Sequence, residues 1–332
     1  MIINLINGLF FMFKNCYTIY IEESVIIVKK ELNNENYYPK HAFGYNNSLD
    51  DDNTSKQLVV IKRKKRRIKI IWVIVILLVF IAILLYSLFK ILNWNMDNKK
   101  TSDITNKIDE ITTVEEVEDT SETELVNEEK DKNNPYWYYI TFPLIDVNIN
   151  ELKGQNSDTV GWINVNNTNI NYPFVQTGDN DFYLTHSFDK SYNDAGWIFL
   201  DYRNNSNFED RNNIIYGHSR LDKTMFGSLS KVLNSSWYNN KDNHVIRISL
   251  DSVNTLWQIF SVYKIKTETY YITTNFNSDS DYLEFLNTIK DRSLYDFNAN
   301  LNKDDKILTL STCYSDTERT VVHARLIKKN SK

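Results

Sequence analysis

Between Ile70 and Phe89 the chain reads IIWVIVILLVFIAILLYSLF, without one charge and without a polar face. As a helix such a run is about 30 Å long, the thickness of a bilayer's hydrocarbon core. A helix packed on a soluble domain keeps a polar stripe toward water. This one has none, so it is expected to be a transmembrane helix, and the rest of the chain must fold on one side of it or the other. Lys62, Arg63, Lys64, Lys65, Arg66, Arg67 and Lys69 precede the run, while only Lys90, Lys99 and Lys100 follow it closely. The positive-inside rule then sets the N-terminus in the cytoplasm and the C-terminal part outside. The run lies far from Met1 and no small-residue cleavage pattern follows it, which favours an uncleaved signal-anchor.

The anchor divides the sequence into four parts. Residues 1–61 form a cytoplasmic segment expected to be poorly ordered. Its opening, MIINLINGLFFMF, is apolar but too short to span, and is either an interfacial segment or an artefact of where the reading frame was opened. Residues 62–92 are the basic flank and the anchor. Residues 93–134 are rich in acidic residues, Ser, Thr and Asn, so they are expected to be a flexible linker that cannot bury enough apolar surface to offset its ordering entropy. A solvated amphipathic helix is the alternative there. Residues 135–332 carry the aromatic-rich patterns of a globular extracellular domain.

Those patterns are mostly strands. Ile170, Tyr172 and Phe174 alternate with Asn169 and Asn171, and Ile246, Ile248 and Leu250 alternate with Arg247 and Ser249. Trp197–Tyr202, Ile214–Tyr216, Leu256–Ile265, Ile307–Thr312 and Val321–Ile327 are further candidates. Helical spacing appears at Tyr282, Phe285, Leu286 and Ile289, with Ser278 and Asp281 placed as a capping box. Met225, Leu229, Val232 and Leu233 form a second stripe, and Asn148–Asn156 suggests a third helix. About eight strands without alternating helices predict a mostly β fold, a closed mixed barrel with a few short helices.

The formal net charge of −5 argues against nucleic acid as a partner, because phosphate binding needs a basic face. Two cysteines, Cys16 and Cys313, lie on opposite sides of the anchor, so counting excludes a disulfide framework or a cysteine metal site. No acidic cluster has calcium-loop spacing, and no cofactor or metal is expected.

Three local patterns carry chemistry. Ile307-Leu-Thr-Leu-Ser-Thr-Cys313 is an apolar strand that delivers a cysteine to its C-terminal end, where a nucleophile is rigid yet open. A free thiol is only a few per cent thiolate at neutral pH and needs a basic or cationic neighbour. The competing reading is a buried, inert cysteine. Asn213-Ile-Ile-Tyr-Gly-His218 ends another short strand in a histidine, the usual general acid/base near neutrality, although a lone histidine is more often structural. His186, His244 and His323 sit in weaker contexts. Arg319 opens the closing strand six residues beyond Cys313; its guanidinium fork suits an oxyanion, although a solvated strand-edge arginine is the commoner case.

Taken together, YGHS, TLSTC and RTVVHARLI resemble the His, Cys and Arg motifs of the sortases. The resemblance spans residues 144–328, and VGWINV, INYPFVQTGDNDFYL, AGWIFLDYRN and the helix at 280–292 resemble the class B branch. It implies a cysteine transpeptidase, with Cys313 attacking the Thr carbonyl of a C-terminal sorting motif in a secreted protein, His218 moving protons and Arg319 holding the oxyanion. A peptidoglycan or lipid-linked precursor amine would resolve the thioester. By the same matching, Asn180, Leu184, Tyr216 and Ser311 would line the substrate groove, and an NPxTx-like motif is implied by analogy. Arg325 is the alternative to Arg319. A pilin-polymerising sortase, a hydrolytic cysteine protease and a tethered cell-wall-binding module are the other readings.

Overall fold

The computed structural model describes residues 51–313 and 318–332, with 51–69 and Cys313 as backbone. The opening apolar segment and Cys16 lie outside the described residues. The chain divides into two units, Met1–Phe80 and Ile81–Lys332.

A single helix, Asp51–Ile111, contains the apolar run. Among the described residues it is the one helix long and apolar enough to cross a membrane. Its large side chains from Ile70 to Leu92, such as Leu85 and Tyr86, are exposed rather than packed on protein. Helix begins already at Asp51, so residues 51–61 depart from the poorly ordered segment expected of them. The run Leu58–Lys69 is rich in Lys and Arg, good helix formers that extend the apolar helix backwards.

The second unit is a closed barrel. In chain order its strands are β1 (Val114–Val117), β2 (Thr123–Leu125), β3 (Leu144–Val147), β4 (Thr159–Val165), β5 (Asn171–Val175) and β6 (Phe199–Leu200). They continue with β7 (Asn212–His218), β8 (Val245–Leu250), β9 (Val253–Lys266), β10 (Ile307–Cys313) and β11 (Glu318–Ser331). The order β10-β7-β6-β5-β4-β8-β9-β11 closes through a β10–β11 pairing, so eight strands form the ring. Closure removes open edges. Parallel pairs, β5–β6 and β7–β10, interrupt an otherwise antiparallel ladder, as a mixed barrel requires.

The expected strands fall within observed ones with two exceptions: the alternation from Asn169 to Phe174 enters β5 only at Asn171, and Trp197–Tyr202 shortens to Phe199–Leu200. Gly196 precedes it at φ +59°, and the Asn204 amide closes a turn on the Asp201 carbonyl behind it. Chain direction therefore changes on both sides of a two-residue strand. The helix at Asp279–Asp291 starts where expected, with the Ser278 side chain accepting from the Asp281 amide, and Asn148 caps Ile149–Gln155 in the same way. The 225–233 stripe forms a 3-10 helix, Gly227–Leu233.

The acidic segment 93–134 departs most from expectation: it is built into the second unit rather than being a free spacer. The helix continues to Ile111 with Thr101, Ile104 and Ile108 buried, a spacing that puts them on one face. Next, β1 pairs with β3, and β2 adds to the outer side of β11 opposite Lys328–Asn330. Charge complementarity explains why so polar a segment orders. Glu116 meets Arg247, Asp119 meets Lys328 at 2.7 Å, Glu124 meets Lys329 at 2.9 Å and Glu129 meets Arg325 at 2.9 Å. The side chains of Arg325 and Lys328 are only 1% exposed, so these carboxylates neutralise cations that have little access to water.

Two buried histidines set the acid limit of the fold. His323 Nδ1–H donates to Thr309 Oγ1, whose own hydroxyl donates to Asn212, while the Tyr263 hydroxyl donates to Nε2. His244 Nε2–H donates to the Tyr238 carbonyl and Nδ1 accepts from the Tyr139 hydroxyl. Every ring nitrogen is satisfied in the neutral form. Burial pushes His323 down to about 3 and His244 down to about 4. With folded values below the unfolded value near 6.5, stability is full above pH 6.5 and falls as the solution is acidified. Between pH 7.5 and pH 5 each histidine is expected to remove about 2 kcal/mol. Urea denaturation at those two pH values checks this; an unchanged midpoint would mean that the two rings are not held neutral.

Candidate active site

The site residues lie where β7 and β10 end side by side. These strands run parallel, and their register pairs Ser311 with Tyr216, Thr312 with Gly217, and Cys313 with His218. Cys313 and His218 are thus adjacent across one strand spacing, about 4.8 Å in a β-sheet. β11 lies on the other side of β10, antiparallel, with Ile307 against Arg325 and Ser311 against Val321. Carried two positions further, that register counts Cys313 against Arg319. The Thr320 amide donates to Thr312 Oγ1 at 2.9 Å between them. Residues 314–317, which join the two strands, lie outside the described residues.

His218 is held from the side as well as along its strand. Its Nε2 lies 2.7 Å from the Leu184 carbonyl, at the end of the 3-10 turn Phe182–Leu184. A carbonyl only accepts, so Nε2 carries the hydrogen and Nδ1 is the nitrogen left for proton exchange. Gly196 presses against the same ring: a Cβ built there would lie 2.8 Å from His218 Cδ2 and 2.9 Å from the Leu184 carbonyl. Gly217 lies under the Phe226 ring with equally little room, at 2.8 Å.

Under the pair lies a buried polar network that sequence reasoning missed. Asp201 is fully buried; its carboxylate receives the Arg203 guanidinium at 2.6 and 2.9 Å and the Tyr216 hydroxyl at 2.9 Å. Burial alone would raise this carboxyl, but the hydrogen bonds from the Arg203 side chain and amide and from Tyr216 outweigh it and hold it below the ordinary range. Burial, aided by the Asp201 charge, pushes the Tyr216 phenol far up. The Asp-x-Arg spacing in LDYRN was the available signal; it reads as an ordinary loop until the strand before it is known to end at Leu200.

The expected groove residues divide. Leu184 touches His218 through its carbonyl. Tyr216 and Ser311 sit side by side in register, but their hydroxyls are engaged, Tyr216 by Asp201 and Ser311 by Tyr271 at 3.0 Å. Both residues are buried. Asn180 is turned to the loop, its Oδ1 accepting from the Tyr202 amide.

The two arginines differ sharply. Arg325 is fully buried at the far end of β10, held by Glu129, Gln258 and the Asn300 carbonyl. Six strand residues, about 20 Å, separate its register position from Cys313. Arg319 is half-buried at the near end, with one guanidinium nitrogen 3.4 Å from the Glu318 carbonyl. The remaining histidines of the second unit have structural partners: His186 stacks on Phe182 and donates to its carbonyl, and His244 and His323 are buried. Among the described residues no cluster of three His, Cys, Asp or Glu side chains could hold a metal.

Comparison with known proteins identifies relatives of the chain. Residues 163–327 match the sortase domain model. Sortase B of Listeria monocytogenes is 37% identical over 179 residues, covering 54% of this chain and 71% of that protein. Sortase B of Staphylococcus aureus is 39% identical over 177 residues, covering 52% and 72%. Among solved structures, a Bacillus anthracis protein described as similar to sortase B superposes with a TM-score of 0.55 at 33% identity, covering 71% of this chain and 98% of its own. The Staphylococcus aureus sortase B–substrate complex gives 0.52 at 37% identity, covering 54% and 84%. The eight-stranded ring, the parallel β7–β10 pair and these identities together establish that the chain belongs to the sortase family, in its class B branch.

Proposed function

We propose that this sortase transpeptidase is anchored by the helix around residues 70–89, with its catalytic domain outside the cell, and that Cys313, His218 and Arg319 perform the transfer. The adjacency of Cys313 and His218 in the β7–β10 register carries this reading. The basic flank before the apolar run supports the orientation.

The Cys313 thiolate attacks the carbonyl carbon of the scissile peptide bond in a secreted protein's C-terminal sorting motif, and a C–S bond forms. Arg319 stabilises the charge on the carbonyl oxygen. As the tetrahedral centre collapses, the C–N bond breaks and His218 gives its proton to the departing amine. An amine of a peptidoglycan precursor then attacks the thioester and gives its proton back to His218. The new amide forms as the thiolate leaves. Asn180, Leu184, Tyr216 and Ser311 belong to the walls of the cleft in this reading. With their hydroxyls engaged, Tyr216 and Ser311 contribute shape more than hydrogen bonds.

An acceptor assay tests the proposal. A library of fluorogenic peptides, including NPxTx-like sequences, is offered to the enzyme with and without an oligoglycine or a diamino-acid amine. Amide-linked product should rise with amine concentration, and the thioester should partition toward amine over water. Hydrolysis at the same rate with and without amine would instead identify a thiol protease, and uptake of only a pilin lysine would identify a polymerising enzyme.

A further inference from the structure

We propose that the stretch of the long helix beyond its apolar run positions His218, through Thr101 and its partner Asn193. The inference rests on His218 being the acid/base of the preceding reading.

Asn193 is fully buried, and its side-chain amide is the knot of the arrangement. Its Nδ2 donates to Thr101 Oγ1 at 3.0 Å and to Ser187 Oγ at 2.8 Å, and also approaches the Asp97 carbonyl at 3.4 Å. Its Oδ1 accepts from the Ala195 amide at 2.9 Å. The backbone of the same residue ties the loop across itself. The Asn193 amide donates to the Thr185 carbonyl and the Asn193 carbonyl accepts from the Gly196 amide, while Trp197 donates to Tyr183. Residues 183–197 therefore form a clasp closed at both ends, and its two inner surfaces are the Leu184 carbonyl and Gly196. Those are the groups that hold the His218 ring.

The helix meets the clasp at one further point and is tied to the rest of the unit beside it. Lys100 Nζ donates to the Tyr192 carbonyl at 2.6 Å. Asn98 accepts from Arg220, two residues beyond His218. Thr101 is itself buried, and Ile104 and Ile108 continue its face into the main core. Strand β7 fixes the His218 backbone, but a strand leaves ring rotation about the side-chain torsions open. Here the ring is fixed by the clasp, and the clasp is fixed by the helix. A hydrogen bond to one ring nitrogen selects the tautomer, so a loosened clasp would let Nδ1 and Nε2 exchange roles.

The test uses the full chain in lipid nanodiscs, with 15N-labelled histidine. Thr101→Val removes the accepting hydroxyl while keeping the side-chain shape, and Thr101→Ser restores it. Thr101→Val is expected to lower kcat about threefold to tenfold with the peptide KM nearly unchanged, as a misplaced acid/base does. The His218 ring signals should move from a single Nε2–H tautomer to a mixture, and Thr101→Ser should recover both readouts. Asn193→Ala should show the larger loss; if that variant does not fold, the Thr101 pair decides. Parent kcat and parent ring signals in Thr101→Val would overturn the inference. A His218→Ala variant that kept its transfer activity would instead remove the functional reading, while the ring signals would still report whether the helix seats this side chain.

Discussion

Cys313→Ala is expected to reduce transpeptidation to background, a loss of about a thousandfold or more, without lowering the thermal midpoint. Among the described residues, the neighbouring hydroxyls are poor substitutes for the thiol: Ser311 and Thr312 are buried, with Ser311 held by Tyr271 and Thr312 by the Thr320 amide. Their hydroxyls would also need a far stronger base than a thiol does. Residues that act as one unit lose activity together, so His218→Ala should fall almost as far and the double variant little further. Hydroxylamine gives an independent readout. It intercepts a thioester as the hydroxamate, and that product should appear with the parent enzyme and vanish with Cys313→Ala. Unchanged hydroxamate formation by the alanine variant would mean that the acyl group rests on some other atom.

The same contrast between backbone placement and side-chain setting explains what was legible in the sequence. The ends of β7 and β10 could be read because each is a short apolar run that stops abruptly at a chemically active residue, His218 in one case and Cys313 in the other. Their parallel pairing could not, since nothing local in either strand records its neighbour; it emerges only when the ring closes. The Arg319 and Arg325 alternatives are a smaller case of the same limit. Both are arginines on one strand, and only register separates the one at the Cys313 end from the one opposite Ile307. Gly196, Asn193 and Asp201 carried no periodic signal at all, because their roles depend on a clasp and a turn formed between distant segments. The acidic segment was misjudged for a different reason. Composition described its carboxylates as solvated, while Thr101, Ile104 and Ile108 already carried a helical spacing. The cations that neutralise Asp119, Glu124 and Glu129 lie some 200 residues away on β11.

That misjudgement has a practical consequence for the soluble domain. A chain starting at residue 135, where the globular pattern begins, is expected to be far less stable than one starting at residue 97. The shorter chain loses Ile104 and Ile108 from the core, strands β1 and β2 from the sheet, and all four carboxylates that face Arg247, Arg325, Lys328 and Lys329. Fully burying each isoleucine contributes about 2 kcal/mol. The Arg325 pair contributes more. Glu129 is itself only 10% exposed, so its removal leaves a buried guanidinium without a carboxylate, facing the Gln258 side-chain oxygen, the Asn300 carbonyl and the Tyr136 ring. Breaking such a pair from one side costs about 3 kcal/mol. Glu129→Ala in the longer chain should show that loss alone, and Asp119→Ala should show less, because Asp119 is half-exposed and Lys328 keeps the Phe142 carbonyl. Together the missing contacts exceed about 5 kcal/mol, the lower end of what an ordinary domain has in total. Urea denaturation of the two chains and the two point variants measures each part. Equal midpoints for the chains starting at 97 and 135 would show that the barrel keeps its cations hydrated without the acidic segment, and would return that segment to the role of a spacer.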